Sequence, residues 1–133
     1  MQKGLIAGCV VILIILGGCQ EKVEPEDIVV ERHSELENEK RFTAFLTNVQ
    51  QGKADKIRIT SFTTEGDPIY QDLDFDGSKL KMIVDYTEDK FGSGEIIEMA
   101  CTAIKETETA ERTDYVVEGC SDTDGDYLLL VKW

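Results

Sequence analysis

Three aspartates alternate in the string DLDFDG at residues 72–77, and their spacing is the first in the chain that could support chemistry. Asp72, Asp74 and Asp76 match the first three ligands of a helix–loop–helix calcium loop, and Gly77 falls where that loop requires glycine. The loop also needs a bidentate glutamate at its last position, which is Ile83 here. The sequence therefore does not complete a calcium loop of this kind.

The same string also fits the end of a β-strand. Leu73 and Phe75 alternate with the aspartates, so a strand would turn this apolar pair inward and the carboxylates outward, with Asp76-Gly77 as a hairpin turn. Carboxylates on one strand face repel each other unless a cation screens them, and extracellular calcium fills sites as weak as about 10⁻⁴–10⁻³ M. We therefore expect no cofactor and keep one alternative, a loose calcium site here or at a second acidic cluster, Asp122, Asp124 and Asp126.

Side chains suited to catalysis are sparse. The sequence has no Gly-x-Ser-x-Gly, Cys-x-x-Cys or His-Glu-x-x-His string, and His33 is its single histidine. Proton transfer near neutral pH would therefore depend on carboxylates with raised pKa values. The acids beside predicted turns are the candidates for that role: Glu65, Asp67, Asp72 and Asp89.

The N-terminus carries an export signal. Lys3 is followed by an uncharged apolar run over residues 5–16. As a helix, this run would reach roughly 18 Å, which is too short for a hydrocarbon core of ~30 Å, so it predicts a signal peptide. The string LGGC at residues 16–19 resembles the lipobox of bacterial lipoproteins, which implies a diacylglycerol on Cys19 and anchorage to the outer face of the cell membrane. An ordinary secretory signal is the alternative.

The charge of the chain limits its partners. Removal of residues 1–18 takes away only Lys3, so 13 Lys+Arg stand against 27 Asp+Glu and the net charge changes from −13 to −14. A nucleic-acid partner would need a basic surface, and anionic lipid would need polybasic clusters. A cationic secreted protein or peptide is the partner class that this charge favours.

Two cysteines are left for the folded domain, because Cys9 lies in the signal and Cys19 in the lipobox. The remaining pair, Cys101 and Cys120, lies in an exported domain, where disulfides persist. We predict a disulfide between them worth about 3 kcal/mol on the loop-entropy argument, with two reduced thiols as the alternative. Two cysteines and the distant His33 do not complete a zinc site.

Hydrophobic periodicity predicts one helix followed by strands. Apolar residues at helical spacing follow a capping-box pattern at Ser34 and Glu37, and the spacing changes to alternation after Gly52. Strands are predicted around residues 57–60, 69–76, 79–86, 97–103, 115–117 and 127–133. Short strands with tight breaks favour an antiparallel arrangement. The predicted fold class is α+β, with one N-terminal amphipathic helix over residues 36–51 packed on an antiparallel β-meander of about five to six strands.

These patterns divide the chain into three parts. Residues 1–18 form the predicted signal peptide, residues 19–35 the lipidated cysteine with an acidic spacer, and residues 36–133 a single α+β domain. An apolar patch at residues 28–30 could pair as an edge strand instead of belonging to the spacer.

Several strings together resemble a known family. They are TEGDPIYQDLDFDG at 64–77, DKFGSGEI at 89–96 and the Cys101…Cys120 pair, combined with the lipobox and the predicted helix. They are similar to a domain-of-unknown-function family (DUF 4362) of small lipoproteins from Gram-positive bacteria, over roughly residues 36–120. The resemblance implies one exported α+β domain on a lipid tether and no activity, so it assigns no functional residue beyond Cys19.

We favour a non-enzymatic binding module tethered to the cell surface. Loops carry function on a rigid scaffold, which makes the acidic turns the expected contact surface, with Glu65, Asp67, Asp89 and Lys90 as candidate residues. A cell-surface enzyme that acts through carboxylates is the alternative, and it predicts a concave pocket holding two acids with perturbed pKa values. A structural lipoprotein without a small ligand is a third class. The sequence does not indicate the oligomeric state.

Overall fold

The computed structural model describes residues 23–33, 35–121 and 125–133. A 3₁₀ turn at Pro25–Asp27 precedes the first strand. The described residues then form β1 (Ile28–Arg32), β2 (Glu35–Glu37), α1 (Glu39–Gln50), β3 (Asp55–Phe62), β4 (Pro68–Phe75), β5 (Leu80–Asp85), β6 (Ile96–Cys101), β7 (Ala103–Glu108), β8 (Thr113–Glu118) and β9 (Tyr127–Lys132). No helix among these residues is long and apolar enough to cross a membrane.

The strands form two sheets. The large sheet has the order β2-β1-β3-β4-β5-β6, and the small sheet has the order β7-β8-β9. Neighbouring strands are antiparallel except β1 and β3, which run parallel. A parallel pair needs a crossover connection, and α1 supplies it between β1 and β3.

One hydrophobic core joins the helix to both sheets. On β4 and β5 the buried residues alternate with more exposed ones, so one face of the large sheet is covered and the other faces solvent. Phe42 of α1 meets Tyr115 of β8 edge to face, with ring centroids 5.0 Å apart. The helix and the small sheet therefore share the inner face of the large sheet, around fully buried residues that include Phe42, Phe45, Ile59, Leu73 and Met82.

The predicted fold class is wrong. The described part of the chain is mostly β, with nine strands in two sheets, and its one short helix lies after two strands instead of at the N-terminus. Each predicted strand position contains a strand, but the predicted strand at 97–103 is divided between β6 and β7, and most of β7 was not predicted. A single meander could not accommodate the parallel β1–β3 pair or the division into two sheets.

The predicted acidic spacer also differs from the structure. Ile28–Arg32 is strand β1, which pairs with both β2 and β3, so it is neither a spacer nor an edge strand. The predicted helix start is too early, because Glu35–Glu37 forms β2 and α1 begins at Glu39. Ser34 lies outside the described residues. Asn38 directly precedes the helix and has a left-handed backbone (φ 62°). Its side-chain amide donates to the carbonyls of Glu26 and Ile28, which connects the start of the helix to the start of β1.

A corner at Thr102 carries the chain from the large sheet to the small one. Cys101 at the end of β6 and Cys120 after β8 form a disulfide across this corner. Thr102 donates its N–H and its hydroxyl to the Glu118 carbonyl at 3.0 and 3.1 Å. Gly119 lies against it with φ 65°, and a Cβ there would be 2.3 Å from the Thr102 hydroxyl oxygen. The corner is therefore closed by a covalent bond, hydrogen bonds and a position that only glycine fits.

Candidate functional site

The outer face of the large sheet carries ion pairs instead of a cluster of bare carboxylates. The Asp72 carboxylate accepts two bonds from Arg58 on β3, at 2.6 and 2.8 Å. Asp74 lies 3.5 Å from the ammonium of Lys56, again on β3. The cross-strand register explains the pairing, because Arg58 is opposite Asp72 and Lys56 is opposite Asp74. The repulsion expected between these two aspartates is therefore screened by the neighbouring strand.

Asp76, the third aspartate of the string, shapes the turn between β4 and β5. Its carboxylate accepts the backbone N–H of Lys79 at 2.7 Å and that of Ser78 at 2.8 Å, and these bonds lower its pKa. Gly77 has φ 105°, which confirms the predicted hairpin turn and its need for glycine.

The carboxylates that could bind calcium in this string are already engaged, because two of them are ion-paired and the third holds a turn. In the part of the chain that the structure describes, no three His, Cys, Asp or Glu side chains are grouped so that they could hold a metal ion. Asp122 and Asp124, from the second acidic cluster, lie outside the described residues.

Two loops meet at the opposite end of the large sheet, and we call residues 63–67 and 86–95 together the loop pair. Asp67 joins them: its carboxylate accepts the backbone N–H of Lys90 at 3.1 Å, and its side chain is 11% exposed. Within the first loop, the Thr63 N–H donates to the Asp67 carbonyl at 2.9 Å, and the Asp67 N–H donates to the Thr63 hydroxyl at 3.1 Å. The second loop is also bonded to β4, because the Tyr70 hydroxyl donates to the Glu88 carboxylate at 2.6 Å, and this bond raises the pKa of Tyr70.

The second loop is held by its own hydrogen bonds around Asp89. The Asp89 carboxylate accepts the N–H of Phe91 at 3.1 Å, and the Asp89 carbonyl accepts the N–H of Gly92 at 3.3 Å. A Cβ at Gly92 would lie 2.3 Å from an oxygen of this carboxylate. At the base of the loop, the Tyr86 N–H donates to the Glu95 carbonyl at 2.9 Å. These bonds fix the backbone that carries Phe91.

Phe91 is the most exposed large apolar residue in the described chain, at 78%. The structure brings the four predicted contact residues together but gives them different roles. Glu65 and Lys90 are exposed, whereas Asp67 is buried and Asp89 holds the turn. Phe91 was not among the predicted contact residues, although its position directly before a Gly-Ser-Gly string indicated a turn.

The structure offers little support for a carboxylate enzyme. The hydrogen bonds that the Asp85 carboxyl accepts from the Thr87 hydroxyl and N–H lower its pKa. Burial alone would raise the pKa of Asp55, but bonds from Arg41 and Asn48 outweigh it and the net pKa is lowered. Desolvation by burial raises the pKa of Glu31. A general acid–base pair needs two acids with pKa values moved apart in one pocket, and the pKa values of Asp55 and Asp85 are both shifted downward.

Two grooves of about 420 and 460 Å³ open on the charged sheet face. The first is lined partly by Asp74, Lys81 and Glu98, and the second partly by Asp72, Asp74 and Lys56. Asp72, Asp74 and Glu98 therefore already have cationic partners where they line the grooves.

Comparison with known proteins identifies one similarity. The family model described as "Domain of unknown function (DUF4362)" matches residues 26–116. The match begins at the 3₁₀ turn and includes β1 and the whole loop pair, and it ends within β8, before Cys120 and β9. It therefore starts about ten residues earlier than the resemblance seen in the sequence, because β1 is part of the domain. No curated protein matches the chain, and no solved structure matches it.

Proposed function

The chain belongs to the DUF4362 family, and on that premise we propose that it is a non-enzymatic binding module, tethered to the outer face of the cell membrane, whose contact surface is the loop pair. The observation that carries this proposal is the display of Phe91 on a hydrogen-bonded turn. An exposed aromatic ring on a backbone that is already ordered can become buried in a partner without a further entropy cost for the loop.

The energetics of Phe91 favour an intermolecular role. Full burial of a phenylalanine side chain is worth about 1.5–3 kcal/mol, which the fold forgoes at this position. Aromatic residues, phenylalanine among them, are enriched at the buried centre of protein–protein interfaces. The Asp67 carboxylate accepts the Lys90 N–H and the Asp89 carboxylate accepts the Phe91 N–H, so both hold the backbone that carries the ring.

The charge around Phe91 indicates the class of partner. Glu65, Glu88 and Glu95 are exposed on the loop pair, against the single exposed cation Lys90. Together with a net charge of −13, this surface suits a secreted protein or peptide that is cationic and offers an apolar pocket or side chain for the ring.

The topology supports display away from the membrane. If Cys19 is lipidated, the four residues from there to Val23 span at most about 14 Å, so the lipid holds the domain close to the bilayer. The chain enters at the start of β1, which is parallel to β3, whereas the loop pair begins after the end of β3 at Phe62. Ile28 at the start of β1 lies opposite Arg58, so the four residues of β3 from there to Phe62 separate these two ends by roughly 13 Å. The loop pair would therefore point outward.

Capture from culture supernatant tests the binding role. The immobilised chain is compared with Phe91→Ala and with the matched control Asp74→Ala, which changes an exposed residue at the far end of the sheet. We expect Phe91→Ala to lose a retained protein that Asp74→Ala keeps, and high salt to weaken retention. Equal retention by all three chains would contradict the role of the loop pair, and retention insensitive to salt would contradict the cationic partner.

Mass spectrometry of the mature protein tests the tether separately. We expect a chain that begins at Cys19 with a diacylglycerol mass on its thiol, and a Cys19→Ser chain that is released into the medium. An unmodified Cys19 thiol on the mature chain would contradict the lipid anchor without affecting the capture experiment.

A further inference from the structure

The outer edge of β6 is covered over only part of its length by described residues. β6 is the last strand of the large sheet, and β5 pairs with its other side. Near its end, Ala100 donates its N–H to the Ser121 hydroxyl at 3.1 Å and accepts the Ser121 N–H at 2.8 Å. Between Ile96 and Glu98, no residue of the described chain forms a hydrogen bond with this edge.

The hydrogen bonds of Ala100 show which backbone groups face outward. In a regular strand, the N–H and C=O groups of every second residue point to the same side. The groups of Ile96 and Glu98 therefore face the same side as those of Ala100, away from β5. Tyr86 directly follows β5, and its N–H donates to the carbonyl of Glu95, directly before β6. The backbone groups of the odd-numbered residues of β6 therefore face β5. Two donors and two acceptors are thus presented at the edge.

The other sheet edges carry features that discourage strand addition. β2 has three residues with exposed glutamates at both ends, and β7 places Lys105, Glu106 and Glu108 along its length. β9 is tied to the helix, because Lys132 forms an ion pair with Glu39. β6 has neither lysine nor proline and exposes Ile96 at 61% and Ile97 at 37%. Among the described residues nothing covers this part of β6, and an uncovered strand edge is a template for another strand.

We propose that the edge of β6 at Ile96–Glu98 binds an extended basic segment of the partner as an added β-strand. The proposal rests on the proposed function, because β6 begins directly after the loop pair and one partner could contact both. The charge selects the occupant: Glu95 and Glu98 flank the open edge, so a second copy of this chain would place like charges together, whereas a basic segment would neutralise them.

The alternation of side chains defines the segment further. A residue opposite Glu98 would lie on the charged outer face, and its neighbours would lie beside Ile97 on the inner face. Glu98 is already 2.9 Å from Lys81, but both side chains are at least half exposed, so a second cation can approach the carboxylate from solvent. The fitting pattern is therefore alternation of lysine or arginine with β-branched residues, over a strand of about four residues or roughly 13 Å.

A peptide of alternating lysine and valine tests this mode directly on the full chain. With isotope-labelled protein, we expect the amide signals of Ile96 and Glu98 to shift and their hydrogen exchange to slow as the peptide is added. The same peptide with alternate backbone amides methylated keeps its charge and loses its donors, so it should bind about tenfold more weakly. Equal binding of the methylated peptide, or shifts that lie away from β6, would overturn the proposal.

Two substitutions of Glu98 distinguish the contribution of the backbone N–H to peptide binding from that of the carboxylate charge. Glu98→Pro removes an outward N–H without removing a bond to β5 and should weaken peptide binding by about tenfold. Glu98→Ala keeps the N–H and should bind within about threefold of the original, with a smaller dependence on salt. Equal peptide binding by both variants would overturn strand addition. Binding of the partner captured from supernatant distinguishes the two proposals. If Phe91→Ala weakens this binding and Glu98→Pro does not, the loop-pair function is supported and strand addition is contradicted.

Discussion

The strand face that carries Asp72 and Asp74 and the loop pair that carries Phe91 are both acidic and exposed, yet they use their charges in opposite ways. On the strand face, each carboxylate has a cationic neighbour on β3, and the groups neutralise one another. In the loop pair, Asp67 and Asp89 accept backbone N–H groups and thereby hold a turn that leaves an aromatic ring in water. A dense row of acids can therefore be structural, while a pair of acids that hold a turn can mark a binding surface.

The largest expected effect comes from separating the two loops. Asp67→Ala removes a buried acceptor and leaves the Lys90 N–H without its bond, which should lower the free energy of unfolding by about 2 kcal/mol. Partner retention should fall as well, because the turn that carries Phe91 loses its support. Urea unfolding measures the first effect, with Asp67→Asn as the control that keeps an acceptor oxygen. An unchanged midpoint in Asp67→Ala would contradict the role given to Asp67.

Removal of the aromatic ring should affect binding and leave folding unchanged. Phe91→Ala should change the unfolding free energy by no more than about 0.5 kcal/mol and weaken binding of the captured partner by about tenfold or more. Gly92→Ala should weaken binding with the ring present, because its Cβ would meet the Asp89 carboxylate at 2.3 Å. Titration of the purified partner checks both variants. A Phe91→Ala chain that unfolds more easily and binds normally would reverse the assignment.

The strand face should show the opposite pattern, with a stability effect and no binding effect. Arg58→Met breaks the two bonds to Asp72 and the contact of the guanidinium with the Tyr70 ring, 4.9 Å from its centroid. Because both charged side chains are about one-third exposed to solvent, we expect a loss of only about 1 kcal/mol. A double-mutant cycle with Asp72→Asn should give a positive coupling energy. Loss of partner retention in Arg58→Met would break the distinction between the two regions.

Acid should weaken the fold through carboxylates whose pKa values lie below normal. The pKa values of Asp55, Asp76 and Asp85 are lowered in the fold by accepted hydrogen bonds, so their contribution is complete above the usual carboxyl pKa of about 4. It is lost as the pH falls through the lower folded values. Glu31 acts in the opposite sense, because its desolvated carboxyl has a raised pKa. The unfolding midpoint should decrease once the pH is lowered below ~4. This decrease should be less steep in Asp55→Asn. A midpoint that rises on acidification would contradict this balance.

Calcium should have the smallest effect of all. Millimolar calcium is expected to leave the melting temperature unchanged, because Asp72 and Asp74 already have cationic partners and Asp76 holds a turn. A melting temperature that rises with calcium, and loses this rise in Asp74→Ala, would show that the strand face binds the ion despite its ion pairs.

Much of the architecture could be predicted from local patterns, and the errors came from interactions that are distant in sequence. Alternation located β3 to β6 and the hairpin at Gly77, because each strand contributes its own buried face. β1 was predicted only as an alternative edge strand, because its apolar run is short and follows an acidic stretch; it becomes an inner strand through pairing with β2 and, in parallel, with β3. The corner at Thr102 was not predicted, because the alternation of side chains over residues 97–103 continues across the break between β6 and β7.

The candidate site was predicted only in part for a similar reason. Turn residues indicated Glu65, Asp67, Asp89 and Lys90, but only the folded sheet shows that Asp67 bonds to the Lys90 N–H from 23 positions away. The cationic partners of Asp72 and Asp74 lie on β3, and their pairing depends on the strand register. Exposure of Phe91 likewise depends on the turn built by Asp89, since the sequence alone would assign an aromatic residue to the core.

A photocrosslinking amino acid placed at two positions, on intact cells, tests whether the partner contacts the loop pair at Phe91. One chain carries it in place of Phe91, and the matched chain carries it in place of Asp74, whose side chain is 45% exposed. We expect a discrete crosslinked partner at position 91, reduced by the unlabelled chain added in excess, and none at position 74. A partner crosslinked at position 74 and absent at position 91 would contradict this contact.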